Sequence, residues 1–72
     1  MPRPSRRVRV HWTTADGREF ATDGFLIGVI DGHYLLRRAE LRLSQTAVEP
    51  LTGTVEIPRE RVDFLQTLGG DE

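Results

Sequence analysis

The chain has 72 residues, a net charge of −1 and no cysteine. A chain of this length forms one small domain, and the lack of cysteine excludes disulfide bridges and thiolate metal sites. No apolar run approaches the roughly 20 residues of a membrane-spanning helix, and no signal-peptide core is present. We therefore expect a soluble, cytoplasmic protein. Because so small a domain buries little apolar surface, oligomerisation is the simplest further source of stability.

The charges are unevenly distributed along the chain. Residues 1–42 contain eight arginines and five acidic residues, a net of +3, whereas residues 43–72 contain two arginines and six acidic residues, a net of −4. All ten basic residues are arginine, a usage typical of a GC-rich genome. The net charge of −1 gives no whole-molecule field that would steer nucleic acid to the protein.

Residues 1–7 predict a flexible basic arm, because they contain two prolines and no apolar periodicity. Such an arm either contacts phosphate or an acidic partner, or is only a solvated tail. Its arginines are Arg3, Arg6 and Arg7.

Residues 8–13 alternate between apolar and polar side chains, which predicts a half-buried strand. Val8, Val10 and Trp12 would face inward. Trp12 is the only tryptophan, and it fits either a core anchor or an interface residue. The other face would carry Arg9, His11 and Thr13.

Three Asp-Gly pairs punctuate the first half of the chain. Asp16-Gly17 predicts a turn, and Asp31-Gly32, between two apolar runs, predicts a tight two-residue hairpin. Asp23-Gly24 fits either another tight turn or a bulge that bends one long strand over residues 18–30. The bulge is favoured because the flanking pieces are too short for separate hairpins.

The run before the hairpin turn is apolar on both faces of an ideal strand, with Phe25, Ile27 and Val29 on one face and Leu26 and Ile30 on the other. Such a strand needs a cover on each side, which either a second subunit or barrel closure would supply. Gly28 marks a point of tight curvature or of close backbone approach. The residues predicted to self-associate are Phe25, Leu26, Ile27, Val29 and Ile30.

After the turn, residues 33–43 predict a further strand. An unbroken alternation places Leu35, Ala39, Leu41 and Leu43 on one face, and Tyr34, Leu36, Arg38, Glu40 and Arg42 on the other. Arg37 then falls on the apolar face. Either it reaches a carboxylate or phosphate in a groove, or a register change between Leu36 and Ala39 turns it to water.

The last third of the chain contains less regular patterns. Residues 44–53 predict a loop or hairpin tip, and residues 54–57 predict a strand with Val55 and Ile57 inward. Pro58 would end that strand or place it at an edge. Residues 59–68 fit either a helix, from Val62, Leu65 and Leu68, or one helical turn followed by a short closing strand with Val62 and Phe64. Residues 69–72 predict a disordered tail.

The fold class is therefore mainly β. We expect one domain over residues 8–68, built as a small, strongly bent antiparallel sheet or a partly open five-stranded β-barrel, with at most one short helical segment near the C-terminus. A flat sheet of this size would leave long edges open to aggregation.

The order VRVHW, DGREF, GFLIGVID, YLL, AEL and TVEIPRERVDFL resembles the Sm-like small β-barrels, which include the Hfq-type and Lsm proteins. The resemblance covers roughly residues 8–65. It implies a bent five-stranded barrel that assembles into rings by pairing edge strands of neighbouring subunits. The short apolar motifs also fit other small rolls, including Src-homology-three-like barrels.

Two motif elements of that family have no counterpart in this chain. The Asn that contacts RNA in the family is absent from His33-Tyr34-Leu35, and Pro58-Arg59 stands in place of the closing Arg-Gly. The resemblance therefore implies the fold, but it does not imply RNA binding through the family's base pocket.

The sequence does not indicate an enzyme. His11 and His33 are too few for a zinc site, and neither Ser5 nor Ser44 has a histidine close in sequence. No Gly-rich phosphate loop precedes a helix. We expect no catalytic site, no cofactor, no metal, no membrane association and no small-molecule substrate.

Two functions remain as hypotheses. The first is a self-assembling scaffold or protein-interaction module, a homo-oligomer. The less favoured alternative is binding of RNA or single-stranded nucleic acid through the arginine-rich half, with aromatic side chains stacking on bases. The candidate contacts to nucleic acid or an acidic partner are Arg3, Arg6, Arg7, Arg9, His11, Tyr34, Arg37 and Arg38.

Overall fold

The computed structural model describes residues 6–68. The strands are β1 (Arg6–Thr13), β2 (Glu19–Ile30), β3 (His33–Arg42), β4 (Val48–Pro50), β5 (Val55–Pro58) and β6 (Val62–Thr67), with a 3-10 turn at Arg59–Arg61 between the last two. Arg6 and Arg7, which were predicted to lie in the arm, belong to β1 instead. The rest of the predicted arm, with Arg3, and the predicted tail lie outside the described residues.

The strands form one antiparallel sheet in the order β4-β3-β2-β1-β6, and β5 pairs with β3 beside the hairpin turn. This confirms the mainly β, partly open architecture. The sheet has six strands rather than five, because Val48–Pro50 pairs with β3 where a loop was predicted. The backbone amides of Leu43 and Ser44 both donate to the carbonyl oxygen of Ala47, and this turn returns the chain to β3.

The 3-10 turn is three residues long, and no helix within residues 6–68 is long and apolar enough to cross a membrane.

The core lies on one side of the sheet and consists of fully buried aliphatic side chains. Val8 and Val10 confirm the inward face predicted for β1. Trp12 packs against this core, and its indole N–H donates to the Oγ1 of buried Thr22 at 2.9 Å. The other buried core residues are Leu36, Ala39 and Ile57.

The hairpin turn at Asp31-Gly32 is confirmed. Asp31 has φ 52° and Gly32 has φ 74°, and Ile30 pairs directly with His33. Two successive positive φ values give a two-residue turn whose twist matches that of the flanking strands. Asp tolerates this backbone region better than most residues, and Gly adopts it without a steric penalty.

Asp23-Gly24 is part of the continuous strand β2, as the favoured interpretation predicted. A bulge is present at this point, but its extra residue belongs to β3 and not to β2. Asp23 faces Glu40 and Phe25 faces Arg37, so Gly24 lies opposite two residues. One of these two is Arg38, whose φ is 54°. In one common type of β-bulge a glycine occupies this left-handed position.

This bulge corrects the faces predicted for β3. Leu36 was predicted to share the face of Arg38, yet it is completely buried, as is Ala39 three residues later. The extra residue shifts the alternation by one, so both side chains reach the core and Arg37 turns outward to solvent. The register change is therefore confirmed, and Arg37 lies on the exposed side of the sheet rather than on the apolar face.

A second bulge lies in β2 and changes the faces predicted for the apolar run. Leu26 faces Leu36 and Gly28 faces Leu35, so Ile27 has no cross-strand partner. Leu26 therefore packs against the core, whereas Ile27 is 42% exposed. The prediction that Ile27 shares a simple alternating face with Phe25 and Val29 is wrong, because the alternation shifts at this residue.

A third irregularity, in the pairing of β1 with β6, explains the spacing of the apolar residues in 59–68. Trp12 faces Val62 and His11 faces Phe64, so Asp63 is the extra residue. Val62 and Leu65 consequently both pack against the core, and their helix-like spacing results from a bulge in a strand. The closing strand after one helical turn is confirmed. Phe64 does not share the inward face of Val62; it is 56% exposed.

We predict that Gly24→Ala destabilises the fold by about 1–3 kcal/mol, because an added methyl group overpacks a filled site. A Cβ on Gly24 would lie 3.2 Å from the Cα of Ala39 and 3.3 Å from the carbonyl oxygen of Arg37. The measurement is urea unfolding followed by circular dichroism. Gly28→Ala is the matched control in the same strand, because a Cβ there meets no atom within 4 Å. Equal stability of the two variants would contradict the prediction.

Candidate functional site

The side of the sheet opposite the core carries a charged surface, which we call the outer face. Cross-strand partners share a face, so the register of β1, β2, β3 and β6 identifies the residues that meet there. They are Arg7, Arg9, His11, Thr13, Glu19, Ala21, Asp23, Phe25, Arg37, Glu40, Arg42, Phe64 and Gln66.

At the centre of the outer face lies an ion pair. Asp23 is only 3% exposed, and its carboxylate accepts two hydrogen bonds from Arg9, from Nε at 2.7 Å and from Nη2 at 3.0 Å. Arg42 approaches the same carboxylate from β3, with Nη1 3.5 Å from Oδ2. A bidentate guanidinium pair of this kind has a fixed geometry, so it ties β1 to β2 while Arg42 connects β3.

The environment of Asp23 lowers the pKa of its carboxyl group. Burial acts in the opposite direction and is the largest single influence, but the hydrogen bond from Arg9 and the positive charges of Arg9, Arg42 and Arg7 together outweigh it. The same hydrogen bond raises the pKa of Arg9. Asp23 is therefore ionised in the folded protein, and its charge is largely neutralised by its neighbours.

One end of the outer face is rich in arginine. Arg7 and Arg37 face Phe25 from the two neighbouring strands. Beside them is an open depression of about 290 Å³, lined by Arg7, Phe25 and Arg38 together with Asp23, Gly24 and Glu40. Phe25 is half-buried, whereas Arg7, Arg37 and Arg38 are exposed.

The opposite end of the outer face carries an aromatic pair. The rings of His11 and Phe64 are stacked, with centroids 4.1 Å apart and an interplanar angle of 17°. Nε2 of His11 lies 3.3 Å from Oε1 of Gln66. A depression of about 420 Å³ adjoins the pair and is also lined by Glu19, Asp63 and Arg42, so this end carries charges of both signs.

The structure brings together most, but not all, of the predicted contact residues. Arg7, Arg9, His11, Arg37 and Arg38 lie on or beside the outer face. Tyr34 does not join them, because it faces Val29 and Ile57 in the half-buried part of the hairpin. Arg6 is exposed at the start of β1, opposite Leu26.

Sequence reasoning missed several members of the outer face, including the central Asp23, which was treated only as part of a turn or bulge. Arg42 was assigned to the face of Leu36 by the unbroken alternation, although a register change in β3 was one of the two alternatives for Arg37. Phe25 was assigned only to self-association, and Phe64 was assigned inward. The alternation of Arg7, Arg9 and His11 was the available signal, since a partner strand must place side chains beside them.

The predicted self-association residues divide into two groups. Leu26 packs on the core and Phe25 lies on the outer face. The remaining three are exposed apolar side chains near the hairpin turn, which we call the tip patch: Ile27 (42% exposed), Val29 (49%) and Ile30 (57%). Within residues 6–68, no strand pairs with β2 on its β1 side beyond Leu26.

The hairpin turn also contacts the 3-10 turn. The backbone amide of Arg59 donates to the carbonyl oxygen of Gly32 at 2.8 Å, and Nδ1 of His33 lies 2.9 Å from the carbonyl oxygen of Asp31. These contacts hold the turn in place beside the tip patch. No group of three His, Asp or Glu side chains within residues 6–68 is arranged to hold a metal ion.

Comparison of the chain with protein-family models, with curated proteins and with solved structures finds no match. The resemblance to Sm-like barrels thus stays a prediction.

We predict that the Asp23 ion pair stabilises the fold in a pH-dependent way. The folded pKa lies below the ordinary value of 3.8, so the contribution is complete above that value and is lost as pH falls through the lowered pKa. Asp23→Asn should lower the free energy of unfolding by about 1–3 kcal/mol at neutral pH. It should also flatten the dependence of stability on pH below 4.

The measurement is urea unfolding over a series of acidic and neutral pH values. Glu49→Gln serves as the control, because it removes one negative charge from an exposed position. If Asp23→Asn and Glu49→Gln show the same stability and the same pH dependence, the ion pair does not have this role.

Proposed function

We propose that this chain is a non-enzymatic β module that self-associates through the tip patch, and that it serves as a scaffold or protein-interaction unit. The observation that carries the proposal is the exposure of Ile27, Val29 and Ile30 in a stretch without charge. No charged residue occurs between Asp23 and Asp31. Exposed apolar patches on small domains are typical of interaction surfaces.

The backbone next to the tip patch supports a second copy of the chain as the occupant. Beyond Leu26, β2 offers amide and carbonyl groups on a side where the described part of the chain supplies no partner strand. Native edge strands are usually protected by lysine, proline or inward-pointing charges, and residues 24–30 contain none of these. The same segment of a second copy would supply both the hydrogen bonds and an equally apolar surface.

This arrangement agrees with what the resemblance to Sm-like barrels implies, namely assembly by pairing of edge strands. It also agrees with the small size of the core, since five side chains form the buried hydrophobic cluster in the described residues. Contact between two tip patches would extend the buried apolar surface beyond what one subunit achieves.

We predict that Ile30→Lys shifts the protein to a smaller mass in solution, because a charged side chain at an interface between identical patches meets its own copy. The measurement is light scattering on a sizing column over a concentration series, at low and moderate salt. Leu43→Lys is the matched control, since Leu43 has the same exposed fraction of 57% but lies beyond the end of β3, away from the hairpin turn.

Retention of the wild-type mass by Leu43→Lys and its loss in Ile30→Lys would support the proposal. A wild-type protein that stays monomeric at every concentration would overturn it. The same holds if both variants dissociate to an equal extent, because the tip patch would then have no special role.

A second function, binding of single-stranded nucleic acid, has one specific observation in its favour. The register of the sheet gathers Arg7, Arg37 and Arg38 at one end of the outer face, although they come from distant parts of the sequence. Guanidinium groups bind phosphates through several donors at once. Salt-sensitive binding of a labelled single-stranded RNA at low ionic strength would test this function, and a lack of such binding would exclude it.

A further inference from the structure

We infer that Phe25, flanked by Arg7, Arg37 and Arg38, forms a base-stacking site for single-stranded nucleic acid on the outer face. This inference rests on the second function proposed above and adds the location and composition of the site. In it, the ring of Phe25 stacks on one base while the three arginines contact the phosphates on either side.

The register positions the ring and the charges. Arg7 on β1 and Arg37 on β3 are the direct cross-strand partners of Phe25. Neighbouring strands lie about 4.8 Å apart, so an arginine side chain extends from the strand on each side of Phe25. The depression of about 290 Å³ beside Phe25 has space for a base, and Arg38 forms part of its wall.

Arg38 provides an independent observation. Its φ of 54° lies in the left-handed region, which side chains other than those of Asn, Asp and Gly rarely adopt. Glycine would fit this bulge better for stability alone. A residue kept in a strained backbone position at the edge of a depression points to a role for its side chain.

Within residues 6–68, the arginine side chains of the site have no partner that would compete with a ligand. Among the described residues, the side chains of Arg7, Arg37 and Arg38 make no hydrogen bond, and the two ion pairs on this face are those of Asp23 with Arg9 and Arg42. At this end of the outer face, the four arginines Arg7, Arg9, Arg37 and Arg38 against the two carboxylates of Asp23 and Glu40 leave a net charge of +2. The whole chain has a net charge of −1, so this end of the face is locally basic.

The chemistry of the site favours a single strand over other anionic partners. A half-buried phenyl ring offers an apolar face that matches an unstacked base, and aromatic stacking of this kind is common in proteins that bind single strands. In a duplex the base faces are already stacked and covered. An acidic peptide would pair its carboxylates with the arginines but would gain little from contact with the Phe25 ring.

The test is fluorescence anisotropy with a labelled oligouridine RNA, using the full chain. Phe25→Leu keeps an apolar side chain and removes the ring; we expect affinity to fall by about 5- to 100-fold, as for loss of one stacked base. Arg38→Gly should weaken binding and make the slope of log affinity against log salt shallower by about 0.7. Arg61→Ala, an exposed arginine on the 3-10 turn, should leave both quantities unchanged.

Arg38→Gly has a second readout that a purely structural role would not produce. Glycine relieves the left-handed backbone at this bulge, so the variant should unfold at a higher urea concentration than the wild type while binding RNA more weakly. A variant that is less stable than the wild type would overturn the role assigned to Arg38. Circular dichroism of Phe25→Leu checks that its loss of affinity occurs in a folded protein.

The outcomes separate this inference from the function on which it rests. If the wild type does not bind RNA at low salt, both fail. If the wild type binds and Phe25→Leu and Arg38→Gly bind equally well, only this site is wrong and the nucleic acid lies elsewhere on the protein. If polyglutamate displaces the RNA as effectively as unlabelled RNA does, the site recognises acidic peptides instead, and the inference is overturned.

Discussion

Gly24 lies so close to β3 that a side chain there would crowd the backbone of that strand, and the rest of the sheet depends on this contact. A Cβ at this position would lie within 3.3 Å of Leu36, Arg37 and Ala39. Because Gly24 has no side chain, β3 can place two residues opposite one, with Arg38 as the extra residue. The resulting shift in alternation brings both Leu36 and Ala39 into the core. In a core of five fully buried aliphatic residues, that shift decides whether a continuous core forms at all.

The adjacent residue has an equally important role on the other side of the sheet. Asp23 accepts two hydrogen bonds from Arg9 and one longer contact from Arg42, so three strands meet at one carboxylate. Removing a charge from such a cluster leaves its partners without compensation. The Asp-Gly pair therefore serves both faces, since the glycine permits close backbone packing and the aspartate holds the arginines of the outer face in a fixed arrangement.

The two proposed functional surfaces lie on the same β2–β3 hairpin but differ in chemistry. The tip patch is aliphatic and suits a second copy of the chain, whereas the outer face around Phe25 is basic and suits an anionic single strand. If both proposals hold, an assembly of several subunits would carry one basic face per subunit. A long single strand could then contact several of these faces at once, and such multivalent binding is tighter than binding at one site. Phe25 and Ile27, two residues apart in sequence, would then have different partners because the bulge at Ile27 separates their faces.

The sequence by itself determined the fold class, the hairpin at Asp31-Gly32, the inward face of β1 and the end of β5 at Pro58, because each depends on neighbouring residues and on backbone conformations that particular residue types favour. It also indicated Arg9, His11 and Thr13 as one polar face. Only the tertiary structure decided the extra residues at Ile27, Arg38 and Asp63, the burial of Leu36 and the exposure of Phe64. A bulge leaves no local pattern, because it is defined by the partner strand; one extra residue then reverses every side chain that follows it.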